Sequence, residues 1–133
     1  MKGHARELMT RRSTQASPET PLAALAYAIA DGGIGGLPIV DATHKVVGFV
    51  SETDVMTALL EGRPRRTPAR EIMTSPAETI DEFATTDDVV TLLRLRQIHH
   101  LPVVRAGRLV GIISPKDVLR YYSKKSDPAD SIG

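Results

Sequence analysis

The chain of 133 residues contains no cysteine and no tryptophan. Without cysteine there is no disulfide framework, no thiolate nucleophile and no thiolate metal site. Aromatic residues make up only 4%, so the core must be aliphatic, and stacking platforms for single-stranded nucleic acid are missing. One-sided charge is missing too. A net charge of +1 exerts no global pull on nucleic acid or a membrane surface. No stretch approaches the ~18 apolar residues of a spanning helix, and M-K-G-H-A-R-E-L-M-T at the start has no apolar leader-like run. These absences predict a soluble cytoplasmic protein with neither nucleic-acid nor membrane partners. What remains is an ordinary hydrophobic content of 41%, enough to bury one compact domain or two very small ones.

The chain repeats itself. Ala5-Arg6-Glu7-Leu8-Met9-Thr10 returns as Ala69-Arg70-Glu71-Ile72-Met73-Thr74, an offset of 69 − 5 = 64. Gly36-Leu37-Pro38-Ile39-Val40 returns as His100-Leu101-Pro102-Val103-Val104 at the same offset. Gly48-Phe49-Val50-Ser51-Glu52-Thr53-Asp54 returns as Gly111-Ile112-Ile113-Ser114-Pro115-Lys116-Asp117, now with 117 − 54 = 63. The lost residue falls between D-A-T-H-K-V-V-G and R-A-G-R-L-V-G, where a turn changes length.

Each copy reads β-α-β-β-α. Ser13–Ala16 and Ala77–Ile80 are short extended lead-ins. Thr20 as N-cap with Pro21 at N1 starts the first long helix, and Gly32-Gly33 stops it. Thr85-Thr86-Asp87-Asp88 starts its counterpart, with Val89, Leu92 and Leu93 at helical spacing. Two strands follow, and Ala106-Gly107 suits a tight hairpin. A last helix begins at Ser51 or Ser114. The expected division is repeat one at 5–62, a linker at 63–68, repeat two at 69–124 and a frayed tail at 125–133. The linker stretch E-G-R-P-R-R-T-P reads as solvated. A unit of about 55 residues is marginal alone, so the two should pack together, sheet to sheet about a pseudo-twofold axis, in a mixed α/β (α+β) fold.

The M-T lead-ins, the Leu-Pro strands and the duplicated G-x-x-S-x-x-D together resemble a tandem pair of CBS domains, also called a Bateman module, over about Ala5 to Lys124. The resemblance implies a regulatory unit that binds an adenosyl ligand, without catalysis of its own. The implied ligands are AMP, ADP, ATP, NAD(H) or S-adenosylmethionine. It also implies a homodimer, formed through helices such as L-A-A-L-A-Y-A-I-A and D-V-L-R-Y-Y, and leaves room for a further protein partner. The alternative is a ligand-free scaffold of the same fold that acts through dimerisation or partner binding alone. A catalytic reading finds no nucleophile–base pair. The glycine run Gly32 to Gly36 follows a helix and precedes a strand, the reverse of a phosphate loop. It reads as a helix stop and a flexible approach to Pro38.

Ser-x-x-Asp at a strand-to-helix junction has two uses. Ser as N-cap and a carboxylate three residues on form a capping-box pair, worth ~1 kcal/mol per helix. The same helix start offers free N–H groups to a phosphate, and an ionised Asp accepts from two adjacent donors such as a ribose diol. By the resemblance, Asp54 and Asp117 take the ribose hydroxyls, with Ser51 and Ser114 beside them. Gln15-Ala16 and Thr79-Ile80 would frame the adenine, with Pro38 and Pro102 shaping the wall. In the second copy Lys116 and a protonated His100 would face a phosphate. In the first, Thr53 and Gly36 stand in those places beside the acidic Glu52, so that site should favour less anionic ligands. The clefts of this family draw groups from both copies. Neighbouring His99 and His100 in an extended segment point to opposite faces, which speaks against a shared metal ion.

Overall fold

The computed structural model describes residues 3–11 and 14–125. Ser13 of the first lead-in and residues 126–133 of the expected tail lie outside the described residues. The element order is α1 (Ala5–Leu8), α2 (Leu22–Gly32), β1 (Gly36–Val40), β2 (Val46–Ser51), α3 (Glu52–Leu60), a 3-10 turn (Ala69–Glu71), β3 (Ile80–Asp81), α4 (Thr86–Arg96), β4 (Leu101–Arg105), β5 (Arg108–Ile113) and α5 (Pro115–Lys125). The fold is mixed α/β (α+β), with one small sheet in each copy. β1 and β2 pair antiparallel. In the second copy β3 runs parallel to β4, and β4 antiparallel to β5. Both antiparallel pairs shift register at the same place, after Ile39 and after Val103. The first lead-in contributes one bridge in place of a strand, between Ala16 and Ile39.

Local chemistry explains most of the boundaries. Gly33 ends α2 in the left-handed conformation at φ 62°, where a Cβ is unwelcome. Ala106 and Gly107 at φ 51° and 80° make the hairpin turn whose twist matches its strands. Thr85 caps α4 by accepting from Asp88 N at 3.1 Å.

The start of α2 departs from expectation. Thr20 does not cap it; its hydroxyl accepts from Ser17 N at 3.0 Å within a turn. The first helical donors go instead to the linker: Leu22 N to Thr67 O at 2.7 Å, and Ala23 N to Arg65 O at 2.9 Å. The linker is therefore not simply solvated. Thr67 is buried, its hydroxyl donates to Pro64 O at 2.7 Å, and Arg63 pairs with Glu71 at 3.0 Å. A carbonyl serves the orphan N–H groups of a helix as well as a side chain does.

The two cores exchange the Met-Thr segments that open each copy. One core joins Leu22, Leu25, Leu37, Ile39 and Val50 of the first copy with Ala69, Ile72 and Met73 of the second. The other joins Val89, Leu93, Leu101, Val103 and Ile113 of the second copy with Ala5, Leu8 and Met9 of the first. The exchange is held by backbone pairs at equivalent positions. Ala69 N donates to Thr20 O at 2.8 Å, and Ala5 N donates to Ala84 O at 2.8 Å. Thr10 bridges Ile112, and Thr74 bridges Phe49. Each fully buried aliphatic side chain contributes ~1.5–3 kcal/mol, so each copy's core is stabilised by the other's first segment. Among the described residues no helix is long and apolar enough to cross a membrane.

Candidate ligand clefts

The exchange opens two clefts, each built across the copies. Ser51, at the end of β2, caps α3. Its hydroxyl accepts from Asp54 N at 3.1 Å, and Asp54 Oδ2 accepts from Ser51 N at 2.8 Å. This is the reciprocal capping box. The helix start lines a cleft of 530 Å³ together with Thr53, Glu52, Phe49 and Gly35 of its own copy. Across from it stand Thr74, Ala77, Glu78, His100 and Pro102 of the second copy.

The second cleft, of 600 Å³, is lined by Ser114, Lys116, Asp117 and Arg120 of α5 and its approach. Opposite lie Thr10, Thr14 and the segment Gly33 to Gly36 of the first copy, with His99 and His100 at the side. Asp117 Oδ2 accepts from Ser114 N at 2.8 Å and Ser114 Oγ at 3.1 Å. Its Oδ1 accepts from Arg120 Nη1 at 2.9 Å and Thr10 Oγ1 at 3.2 Å. Both volumes suit a drug-sized or nucleotide-sized ligand.

Of the fourteen candidate residues, the first cleft gathers Ser51, Thr53, Asp54, His100 and Pro102. The second gathers Gly36, His100, Ser114, Lys116 and Asp117. The remaining five line neither. Pro38 is buried within β1. Gln15 contacts His44 Nδ1 at 3.4 Å, and Ala16 is spent pairing with β1. Ile80 is spent pairing with β4, and the lining of the first cleft stops at Glu78, one residue short of Thr79. The lead-ins reach the clefts slightly earlier in the chain, through Thr14 and through Ala77-Glu78. Register commits Ala16 fully: its N–H donates to Pro38 O at 3.1 Å and its carbonyl accepts from Val40 N at 2.8 Å.

His100 differs from expectation in two ways. It lines both clefts, not the second alone. It is also held below its ordinary pKa of 6.5, first by burial and then by the neighbouring His99, while Glu52 and Asp117 pull the other way. At neutral pH the ring is uncharged, so the positive charge facing the second cleft comes from Lys116 and Arg120. The ring stacks beside Phe49, with centroids 6.4 Å apart and planes 22° apart. It also presses on Gly35, where any Cβ would collide with the imidazole. A Cβ at Gly36 would meet Phe49 at 2.5 Å and Val50 O at 2.7 Å. These two glycines are thus sites of close approach and not a flexible tether. Among the described residues no three His, Asp or Glu side chains converge on a metal-sized space.

Several lining residues escaped the sequence reading as site groups. Thr10 and Thr74 were visible only as markers of the repeat. Arg120 had a legible signal, the helical Asp-x-x-Arg of Asp117 and Arg120, a spacing at which side chains meet.

Comparison with known proteins agrees with this architecture. The family model for the CBS domain matches residues 5–61 and again 69–124. An uncharacterized protein of Methanopyrus kandleri is 31% identical over 117 residues, covering 86% of this chain and 60% of that protein. The chain thus spans less than two thirds of that relative's length, and 31% of the length of another from Thermofilum pendens. A solved CBS domain pair in complex with 5′-methylthioadenosine and S-adenosyl-L-methionine superposes with a TM-score of 0.82 at 26% identity, covering 95% of this chain and 100% of that one. Hypoxic Response Protein I, solved with two coordinated zinc ions, gives a TM-score of 0.81 at 26% identity, covering 90% of this chain and 98% of that one.

Proposed function

The chain belongs to the CBS-domain family, and from that premise we propose that it is a regulatory module that binds adenosyl ligands in its two clefts. The observation that carries the reading is the duplicated Ser-x-x-Asp. Each copy opens a helix, and each faces a cleft to which the other copy contributes the threonine of its Met-Thr segment, Thr74 or Thr10. A helix start provides N–H groups for a phosphate, and the carboxylate provides acceptors for a ribose diol. Asp54 and Asp117 are the ribose groups in this reading, with Ser51 and Ser114 as their capping partners. Pro102, Thr53, Gly36 and His100 shape the walls, and Lys116 stands on the phosphate side of the second cleft. The relative solved with 5′-methylthioadenosine and S-adenosyl-L-methionine supports an adenosyl compound as ligand class. No catalytic step is assigned to either cleft.

Ligand binding in a cleft that both copies build gives regulation a physical route. A ligand held between the copies stabilises their mutual arrangement, and a partner that reads that arrangement then senses ligand concentration. The test is a thermal-shift panel of AMP, ADP, ATP, NAD, NADH and S-adenosylmethionine. A ligand at 100 times its Kd adds ~2.7 kcal/mol to the folded state. A panel with no shift at saturating concentrations would remove the adenosyl reading and leave the scaffold alternative.

Homodimerisation is the second part of the proposal. Met56 and Leu59 on α3 are 59% and 58% exposed, and their counterparts Leu119 and Tyr122 on α5 are 65% and 60% exposed. Large apolar side chains repeated at equivalent positions of two helices favour a covered face, and a second copy of the chain presents the same pattern.

A further inference from the structure

Asp54 and Asp117 occupy equivalent positions, yet their carboxylates are engaged differently. Among the described residues, Asp54 accepts one side-chain-directed hydrogen bond, at Oδ2 from Ser51 N. Three residues on stands Thr57, which brings no charge. Asp117 is 8% exposed and accepts from four donors: Ser114 N, Ser114 Oγ, Thr10 Oγ1 and Arg120 Nη1. An ionised carboxylate has about four lone-pair sites, and those of Asp117 are filled. A ribose diol cannot add to this set. It must displace a donor, and the side chain of Arg120, 57% exposed, is the one with room to leave.

We propose that Arg120 determines the ligand specificity of the second cleft: it occupies Asp117 in the free protein and yields that carboxylate to a ribose only when the ligand brings an anion for its guanidinium. The inference rests on the adenosyl reading of the cleft. A phosphorylated adenosine compensates the broken ion pair, because the guanidinium fork matches phosphate oxygens as well as it matches carboxylate. Lys116 in the same cleft adds to that attraction. An unphosphorylated adenosine must break the pair and returns nothing to the arginine. The first cleft, with Thr57 in the equivalent place, has no such condition.

The experiment titrates AMP and adenosine by calorimetry into Asp54→Ala, in which only the second cleft keeps its aspartate, with and without Arg120→Ala. Arg120→Ala is expected to tighten adenosine by about five-fold, the worth of one exposed ion pair. It is expected to weaken AMP by about ten-fold, the worth of a charge-assisted contact. Arg120→Lys keeps the charge and should retain part of the AMP preference. The converse variant Thr57→Arg, on a wild-type first cleft in an Asp117→Ala background, should weaken adenosine more than AMP. An AMP-to-adenosine ratio unchanged by Arg120→Ala and by Thr57→Arg would overturn the assignment while leaving the adenosyl reading intact. If the wild-type protein bound neither ligand, the role of Arg120 would fall, and a blank six-compound thermal-shift panel besides would remove the adenosyl reading itself.

Discussion

Met73 lies across Gly48 so closely that a Cβ built on the glycine would stand 2.5 Å from its Sδ and 3.0 Å from Thr74 O. Met9 covers Gly111 in the same way, at 2.5 Å, with Thr10 O at 2.9 Å. Each glycine belongs to one copy and each methionine to the other. The glycine that opens G-x-x-S-x-x-D is therefore the place where the exchanged Met-Thr segment crosses the strand. Its cause is close backbone approach, since neither glycine has a positive φ.

Gly48→Ala and Gly111→Ala should each destabilise the fold by ~1–3 kcal/mol, the usual cost of forcing volume into a packed contact. A carbonyl on one side leaves the methyl group nowhere to go. Urea unfolding gives the measurement. Wild-type midpoints in both variants would mean that the Met-Thr segments are loosely attached.

Asp54→Ala should weaken adenosyl-ligand binding in the first cleft, and Asp117→Ala in the second, by roughly 2–4 kcal/mol each. Each also removes a capping-box partner, so melting temperature falls modestly in both. Calorimetry on the single and double variants separates the two effects. Undiminished affinity in all three would leave the aspartates with capping alone.

His100 makes stability fall on mild acidification. The unfolded chain takes up the proton near the ordinary value of 6.5, whereas the folded ring is held below it by burial and by His99. The contribution is complete above about pH 6.5 and is lost as pH falls from there through the folded value. A stability–pH curve of His100→Gln should be flatter than wild type over that window. Superimposable slopes would contradict the burial of the ring.

Glu82, 1% exposed, is clamped by Arg105, with Nη2 to Oε1 at 3.0 Å and a second contact from Nε to Oε2. The hydrogen bond from Arg105 holds its carboxyl below the ordinary 4.5, against the opposing effect of burial. Its contribution is thus present above about pH 4.5 and disappears as pH drops through the lowered folded value. Glu82→Gln should be less stable than wild type at pH 7, with the gap closing in acid. A constant gap from pH 7 down to pH 3 would show that charge has no part in it.

Light scattering at micromolar concentration should give twice the 14.4 kDa of one chain. Leu59→Glu combined with Leu119→Glu should return it to a single chain, because charges on the exposed apolar face must be desolvated to pair. A wild-type mass of 14.4 kDa would refute the dimer.

Much of this is legible in the sequence. The repeat, its one-residue slip at the turn, the α-β-β-α order shared by both copies and both Ser-x-x-Asp helix starts follow from local chemistry: glycine at positive φ, serine at a cap, apolar spacing along a helix. Those signals act within a few residues, so sequence displays them. Three matters were decided only by the tertiary structure. The Met-Thr segments pack into the opposite core, because Ala5 and Ala69 find their hydrogen-bond partners and their apolar contacts there. His100 sits between two clefts and is held below its ordinary pKa, because burial outweighs the carboxylates of Glu52 and Asp117. Among the described residues Asp117 is filled by Thr10 and Arg120 while Asp54 accepts only from Ser51 N, although the motif around both is the same. Each of these depends on contacts between residues far apart in the chain or on solvent exposure, and neither quantity is written in the order of the amino acids alone.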